Sequence, residues 1–234
     1  MLFDLQSRGR RTAVKIIYLS LAILIGGGLV LFGVGSGGTG GLIDAFTDQG
    51  EDVSSQVRKA EERAQRAVRR NPQDAAAWAE LARARFLAAG QGENYNEEQA
   101  AFTASGQEKL RQAERAWERY LALEPKRPDV NVARLMARAF APDGLNAPAK
   151  AARALEIVTE QDPSTAAYSQ LAQFAYRADQ NRKGDLAAAK AVELAPAAQR
   201  RRVRRALEEL RREIAEQRLR EALERAQLET RTTR

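Results

Sequence analysis

Two residue types that carry most side-chain chemistry are missing from this 234-residue chain: it has no cysteine and no histidine. Without cysteine there is no thiol nucleophile, no thiolate metal site, no disulfide scaffold and no lipidated N-terminal cysteine. Without histidine the commonest general base and the commonest metal ligand are gone. Serine–histidine and cysteine–histidine hydrolases, zinc hydrolases and haem-histidine proteins are excluded. No carboxylate pair stands apart from the general helical charge pattern, so glycoside hydrolysis and carboxylate-held metal catalysis have no basis. The reading is therefore not an enzyme, with no cofactor, no metal and no catalytic residue. One spacing mimics a phosphate site: Gly33, Gly35 and Gly38 match G-x-G-x-x-G. That motif works only between a strand and a helix N-terminus, and here it follows an apolar run, so nucleotide binding is not expected. Hydrophobic residues make up 44% and charged residues 29% of the chain, enough for a packed core.

The apolar run fixes topology. Residues 16–34, IIYLSLAILIGGGLVLFGV, carry no charge. At about 1.5 Å per residue they span about 28 Å, close to the roughly 30 Å hydrocarbon core of a bilayer. An uncleaved transmembrane anchor is expected. A cleaved signal peptide is the rival, although its apolar region would be shorter and no clear A-x-A-like site follows. Arg8, Arg10, Arg11 and Lys15 precede the run, whereas Asp44, Asp48, Glu51 and Asp52 follow it. The basic side stays cytoplasmic, which puts the N-terminus inside and the rest of the chain outside, at the cytoplasmic (inner) membrane. Ala22/Gly26 and Gly33/Gly37 have small-xxx-small spacing that permits helix–helix approach in lipid. Residues 35–41, GSGGTGG, read as a flexible spacer. Net charge is +7 but sits at the ends. Residues 1–43 hold four basic and one acidic residue, and residues 199–234 hold twelve Arg and seven Glu. The 22 basic and 23 acidic residues between them nearly cancel, so no nucleic-acid-binding face is expected on the main domain.

Four segments share one spacing. They are Ala60, Ala64, Ala67, Pro72; Ala113, Trp117, Tyr120, Pro125; Ala151, Leu155, Val158, Pro163; and Gly184, Ala188, Ala191, Pro196. The first two steps keep three residues on one helix face, and the proline then stops the helix. Three of the prolines are followed by a second shared start: Trp78, Leu81, Ala82; Val132, Leu135, Met136; and Tyr168, Leu171, Ala172. Over about 53–196 this resembles the tetratricopeptide repeat (TPR), W-x2-L-G-x2-Y, A-x3-F, P. A leading half-repeat and three full helix pairs are counted. Ala82, Met136 and Ala172 stand where the repeat has glycine. Small residues at Ala60, Ala82, Ala113, Ala151 and Ala172 would let helices approach, with Trp78, Leu81, Trp117, Leu135, Leu155 and Leu171 filling the layers between them. The expected fold is all-α: a transmembrane helix, a TPR-like α-solenoid and a long charged C-terminal helix. The domains are a cytoplasmic stub (1–15), the span (16–34), a Gly-rich linker (35–52), the repeats (53–198) and a C-terminal capping helix (199–234).

The resemblance also implies a groove lined by the first helix of each pair. Positions two and five after the motif leucine would face it: Arg83 and Phe86, Ala137 and Phe140, Gln173 and Tyr176. Phe86, Phe140 and Tyr176 would form an aromatic ladder for a bound peptide, beside Arg83 as a carboxylate partner and Gln173. The competing reading is that these aromatics pack against neighbouring helices. The family's Lys/Asn/Arg carboxylate clamp is not reproduced. An insertion over Ala88–Gly106 reads as a loop around a short amphipathic turn, with Tyr95 and Phe102 as candidate contacts. Asn131, Gln161 with Asp162, and Asp143-Gly144 read as capping and turn residues. In the C-terminal helix Val203, Leu207, Leu210 and Ile214 follow 4-3-4 spacing, and Leu219, Leu223 and Ala226 resume it out of phase. The first part is expected to cap the last repeat. Arg200, Arg201, Arg202, Arg204 and Arg205 form a basic cluster that could touch anionic lipid or nucleic acid, with the expected exterior location arguing against the latter. The functional expectation is a membrane-anchored scaffold or assembly factor, of the translocon-ancillary or envelope-assembly type, that binds proteins or peptides. The alternative is a structural membrane protein that self-associates through the C-terminal helix and the span, with an empty groove.

Overall fold

The computed structural model describes residues 50–232; the expected span, 16–34, lies outside the described residues. The chain divides after Gly50 into two units, and the second holds the elements that follow. Among the described residues there are eight α-helices: α1 Gly50–Arg70, α2 Ala75–Ala89, α3 Ala104–Ala122, α4 Val130–Ala139, α5 Pro148–Gln161, α6 Thr165–Arg177, α7 Asn181–Leu194 and α8 Arg200–Thr232. A two-stranded hairpin, β1 Tyr95–Asn96 and β2 Ala101–Phe102, is the only sheet among them. No helix of the described residues is long and apolar enough to cross a membrane.

Local chemistry sets the helix ends. Asp74, Thr103, Asp129 and Ser164 are N-caps of α2, α3, α4 and α6, each accepting from a backbone N–H in the first turn. Such caps satisfy donors that have no partner within the helix, at about 1 kcal/mol each. Pro148 opens α5, where its missing N–H costs nothing. Pro72, Pro125, Pro163 and Pro196 fall just beyond the ends of α1, α3, α5 and α7, as the shared spacing predicts. The cap of α4 is Asp129 rather than Asn131, which lies inside the helix.

The helices pack as neighbours in sequence: α2 along α3, α4 on α5, α5 on α6, α6 on α7. One half-pair and three pairs result, and α8 lies against both α6 and α7. The core contains the small residues of the repeated spacing. Ala82, Ala113, Ala151, Ala172 and Ala191 are fully buried, and Leu81, Trp117, Leu155 and Val158 fill the space between them. Trp78 and Leu135 depart from expectation, since both stay half-exposed at the edge of the core. The Trp78 indole N–H donates to the Pro72 carbonyl at 2.9 Å, fastening α2 to the preceding turn.

The insertion is shorter and more ordered than a loop. α2 continues to Ala89, a 3-10 turn spans Gly92–Asn94, and the hairpin pairs Tyr95 with Phe102. Those two rings meet edge to face at 5.3 Å, so they contact each other first. The segment is clamped onto α3: the Thr103 N–H donates to the Asn94 carbonyl at 3.0 Å. A Cβ on Gly106 would stand 2.0 Å from that same carbonyl oxygen. Only glycine allows this approach.

Candidate partner-binding face

The site is built from the first helix of each pair. On α2, Glu80, Arg83 and Leu87 form the stripe that reaches solvent. On α4 it is Asn131, Arg134 and Arg138, and on α6 it is Gln170, Gln173 and Arg177. All follow the three- and four-residue steps that keep one helical face. The stripes are joined in series. Arg83 Nη2 donates to Asp129, the cap of α4, at 3.2 Å. Arg134 pairs with Asp162, just before α6. A cation on one first helix thus holds either the N-cap of the next first helix, at Asp129, or the C-cap of the second helix before it, at Asp162, which sets the stripes side by side. Arg83 also lies 3.7 Å from Glu80, and Arg138 pairs with Asp143 at 2.5 Å. Arg177 makes no ion pair among the described residues, and its Nε is buried without a hydrogen-bond partner there.

The predicted site residues divide between this face and the core. Gln173 is half-exposed on the α6 stripe. Arg83 is on the α2 stripe, but its guanidinium is already engaged by Asp129 and Glu80. The aromatic ladder is not presented to solvent. Phe140 is 1% and Tyr176 3% exposed, Ala137 is also buried, and Phe86 is half-buried against the same core. Four residues before the three aromatics stand Ala82, Met136 and Ala172, all completely buried. A step of four keeps a helical face, so the aromatics follow those residues inward.

Tyr176 has a structural task. Its ring lies on Gly184 of α7, where a Cβ would come within 2.4 Å of the ring carbons. Its hydroxyl donates to Asp185 at 3.0 Å, and the Arg211 guanidinium from α8 stands 5.7 Å from the ring centroid. Burial, reinforced by the Asp185 carboxylate, pushes the phenol up to about 12.

Sequence reading missed a second series of ion pairs, on the second helices. Lys109 of α3 reaches Glu61 of α1 at 2.9 Å, and Lys150 of α5 holds Glu114 and Glu118 of α3. Lys183 of α7 meets Glu156 of α5 at 2.5 Å, and Arg211 of α8 meets Asp185 of α7 at 3.0 Å. Glu61, Glu114 and Asp185 each follow the first small residue of the repeated spacing, and Lys150 and Lys183 each precede it. That regularity was the available signal. The exposed pairs among these, such as Lys183–Glu156 and Arg211–Asp185, contribute about 0–1 kcal/mol each, whereas Glu61 is only 16% exposed.

This face offers guanidinium and amide donors, with no nucleophile–base pair. Among the described residues no group of acidic side chains is placed to hold a metal ion. The chain matches no family model and no curated protein.

Proposed function

We propose that this chain is a membrane-anchored, TPR-like scaffold or assembly factor that binds protein or peptide partners at the outer face of the cytoplasmic membrane. The observation that carries the reading is the series Arg83–Asp129 and Arg134–Asp162. It aligns three accessible helix stripes in one register, as a surface for an extended partner requires. The charge-free segment 16–34 and its basic flank support the anchor and its direction. The residues on the stripes refine the partner's chemistry. Arg83, Arg134 and Arg138 are engaged by internal carboxylates, so Arg177, with Gln170 and Gln173 on α6, narrows it to a carboxylate beside backbone carbonyls.

The test is in-cell crosslinking of the full-length protein beside a Gln173→Ala/Arg177→Glu variant, with partners read by mass spectrometry. Both positions are partly exposed, so the variant should keep its helical circular-dichroism spectrum. Defined envelope proteins captured by the parent and lost in the folded variant support the reading. Identical partner lists overturn the assignment of this face.

A further inference from the structure

Helix α8 has 33 residues, about 50 Å at 1.5 Å per residue, and two different long faces. Val203, Leu207, Leu210 and Ile214 face the repeats, with Leu207 and Ile214 buried. Arg211–Asp185 and Arg218–Asp179 secure the flanks of that stripe. On the opposite side, at 3.6 residues per turn, fall Arg201, Arg205, Arg212, Leu219 and Leu223, with the exposed Glu208, Glu209 and Glu216 between the first arginines and the leucines. Leu219 is 62% and Leu223 55% exposed.

The arginines at the start of α8 differ in use. Arg200 donates to the carbonyls of Ala195 and Glu193, closing the end of α7. Arg201, Arg202, Arg204 and Arg205 are exposed and make no side-chain hydrogen bond or ion pair among the described residues. The cations that bridge two helices have a carboxylate, as at Lys109, Lys150, Lys183, Arg211 and Arg218; these four bridge none. These four also occupy the first turns of a helix, where the macrodipole is positive and disfavours further positive charge. Glu208 and Glu209 stand on the next turn, and neither reaches them. Four like charges within five positions repel one another, and an external anion would relieve that repulsion.

We propose that the outward face of α8 docks on an anionic lipid surface. Arg201 and Arg205 meet headgroup phosphates, Arg202 and Arg204 reach them from the two flanks of the helix, and Leu219 and Leu223 enter the interfacial zone beyond. Charge complementarity selects the phosphate-rich surface. The two exposed leucines select a bilayer over nucleic acid, which would use the arginines but not the leucines. The docking relies on the proposed anchor for proximity only.

Because the chain has no cysteine, one fluorophore can be placed cleanly at Ala206→Cys. Full-length protein is reconstituted into neutral phosphatidylcholine vesicles and into vesicles with about one-third phosphatidylglycerol, both carrying an acceptor-labelled lipid. Energy transfer should rise about twofold in the anionic vesicles and fall back in about 0.5 M salt, where screening is short-ranged. The R201Q/R202Q/R204Q/R205Q variant, with its helical spectrum checked, should stay at the neutral value, and Leu219→Ser/Leu223→Ser should give an intermediate one. Equal transfer for parent and quadruple variant in anionic vesicles overturns the proposal. So does a Leu223→Cys disulfide dimer that forms equally in detergent and in both vesicles with no lipid dependence of transfer, which would assign this face to a second copy. A DNA mobility shift without a lipid response would assign it to nucleic acid. Flotation of the parent with neutral vesicles after an alkaline wash reads the anchor separately. If that fails while arginine-dependent binding to anionic vesicles persists, the docking stands and the anchor falls.

Discussion

The two ends of the helix stack are closed by different physics. At the α1 end a carboxylate does it. Glu61, with a side chain only 16% exposed, accepts from Lys109 at 2.9 Å and lies 3.5 Å from the Arg85 Nε. Burial lowers the Arg85 pKa, and Glu61 opposes that shift; Arg85 also donates to the Gln112 carbonyl at 3.1 Å. At the α8 end an aromatic ring does it. Tyr176 fills the space over Gly184 and lies beneath Arg211. Charge closure depends on each partner keeping its counterpart, because a partly buried ion left alone is costly. Ring closure depends on volume, because a packed interior tolerates neither a void nor an extra atom.

That contrast can be broken at either end. The largest effect is expected from Tyr176→Ala, which empties the wedge between α6, α7 and α8. A loss of about 3–5 kcal/mol should appear in urea unfolding followed by circular dichroism. Glu61→Gln removes the counter-charge of both Lys109 and Arg85 while keeping the shape. It should cost about 1–3 kcal/mol and lower the thermal midpoint. Gly184→Ala adds one methyl against the ring, and overpacking at about 1–3 kcal/mol is offset by about 1 kcal/mol of improved helix propensity. In a Tyr176→Leu background the clash should vanish and the same change should stabilise, so a double-mutant cycle isolates the contact.

The ring end also has a pH signature. The folded-state phenol of Tyr176 lies at about 12, above its ordinary value near 10. The unfolded state therefore releases its proton first as pH rises. The contribution is complete below pH 10 and lost as pH climbs through about 12. Tyr176→Phe should flatten that part of the stability–pH curve, measured by urea midpoints at successive pH values. The smallest effect is expected from Asp179→Asn at the exposed Arg218 pair, which should leave the urea midpoint unchanged within error.

The all-helical architecture and the helix ends were legible because they rest on local chemistry. Four prolines at one spacing stop four helices, and small residues at fixed steps bury against one another. The direction of Phe140 and Tyr176 was less accessible. Counting five from the motif leucine put them toward a groove, whereas counting four from Met136 and Ala172 puts them in the core, and the second count follows the helix face that is buried. The staples Arg83–Asp129 and Lys109–Glu61 join residues 46 and 48 positions apart, and no local pattern shows which of many surface charges will meet. The hairpin at Tyr95–Phe102 depends on a carbonyl approaching Gly106, a contact made only after α3 has formed its first turn.

The lysine–carboxylate series on the second helices makes the layers interchangeable on that side. Each of α3, α5 and α7 presents a lysine toward the preceding second helix, and α1, α3 and α5 each present a glutamate toward the following one. A chain lacking residues 126–163, the α4–α5 layer, would bring Lys183 to the glutamates that Lys150 now holds. The lysine–glutamate match on the second helices would survive such a deletion, whereas Arg83 would lose Asp129, so only the second-helix series repeats from layer to layer.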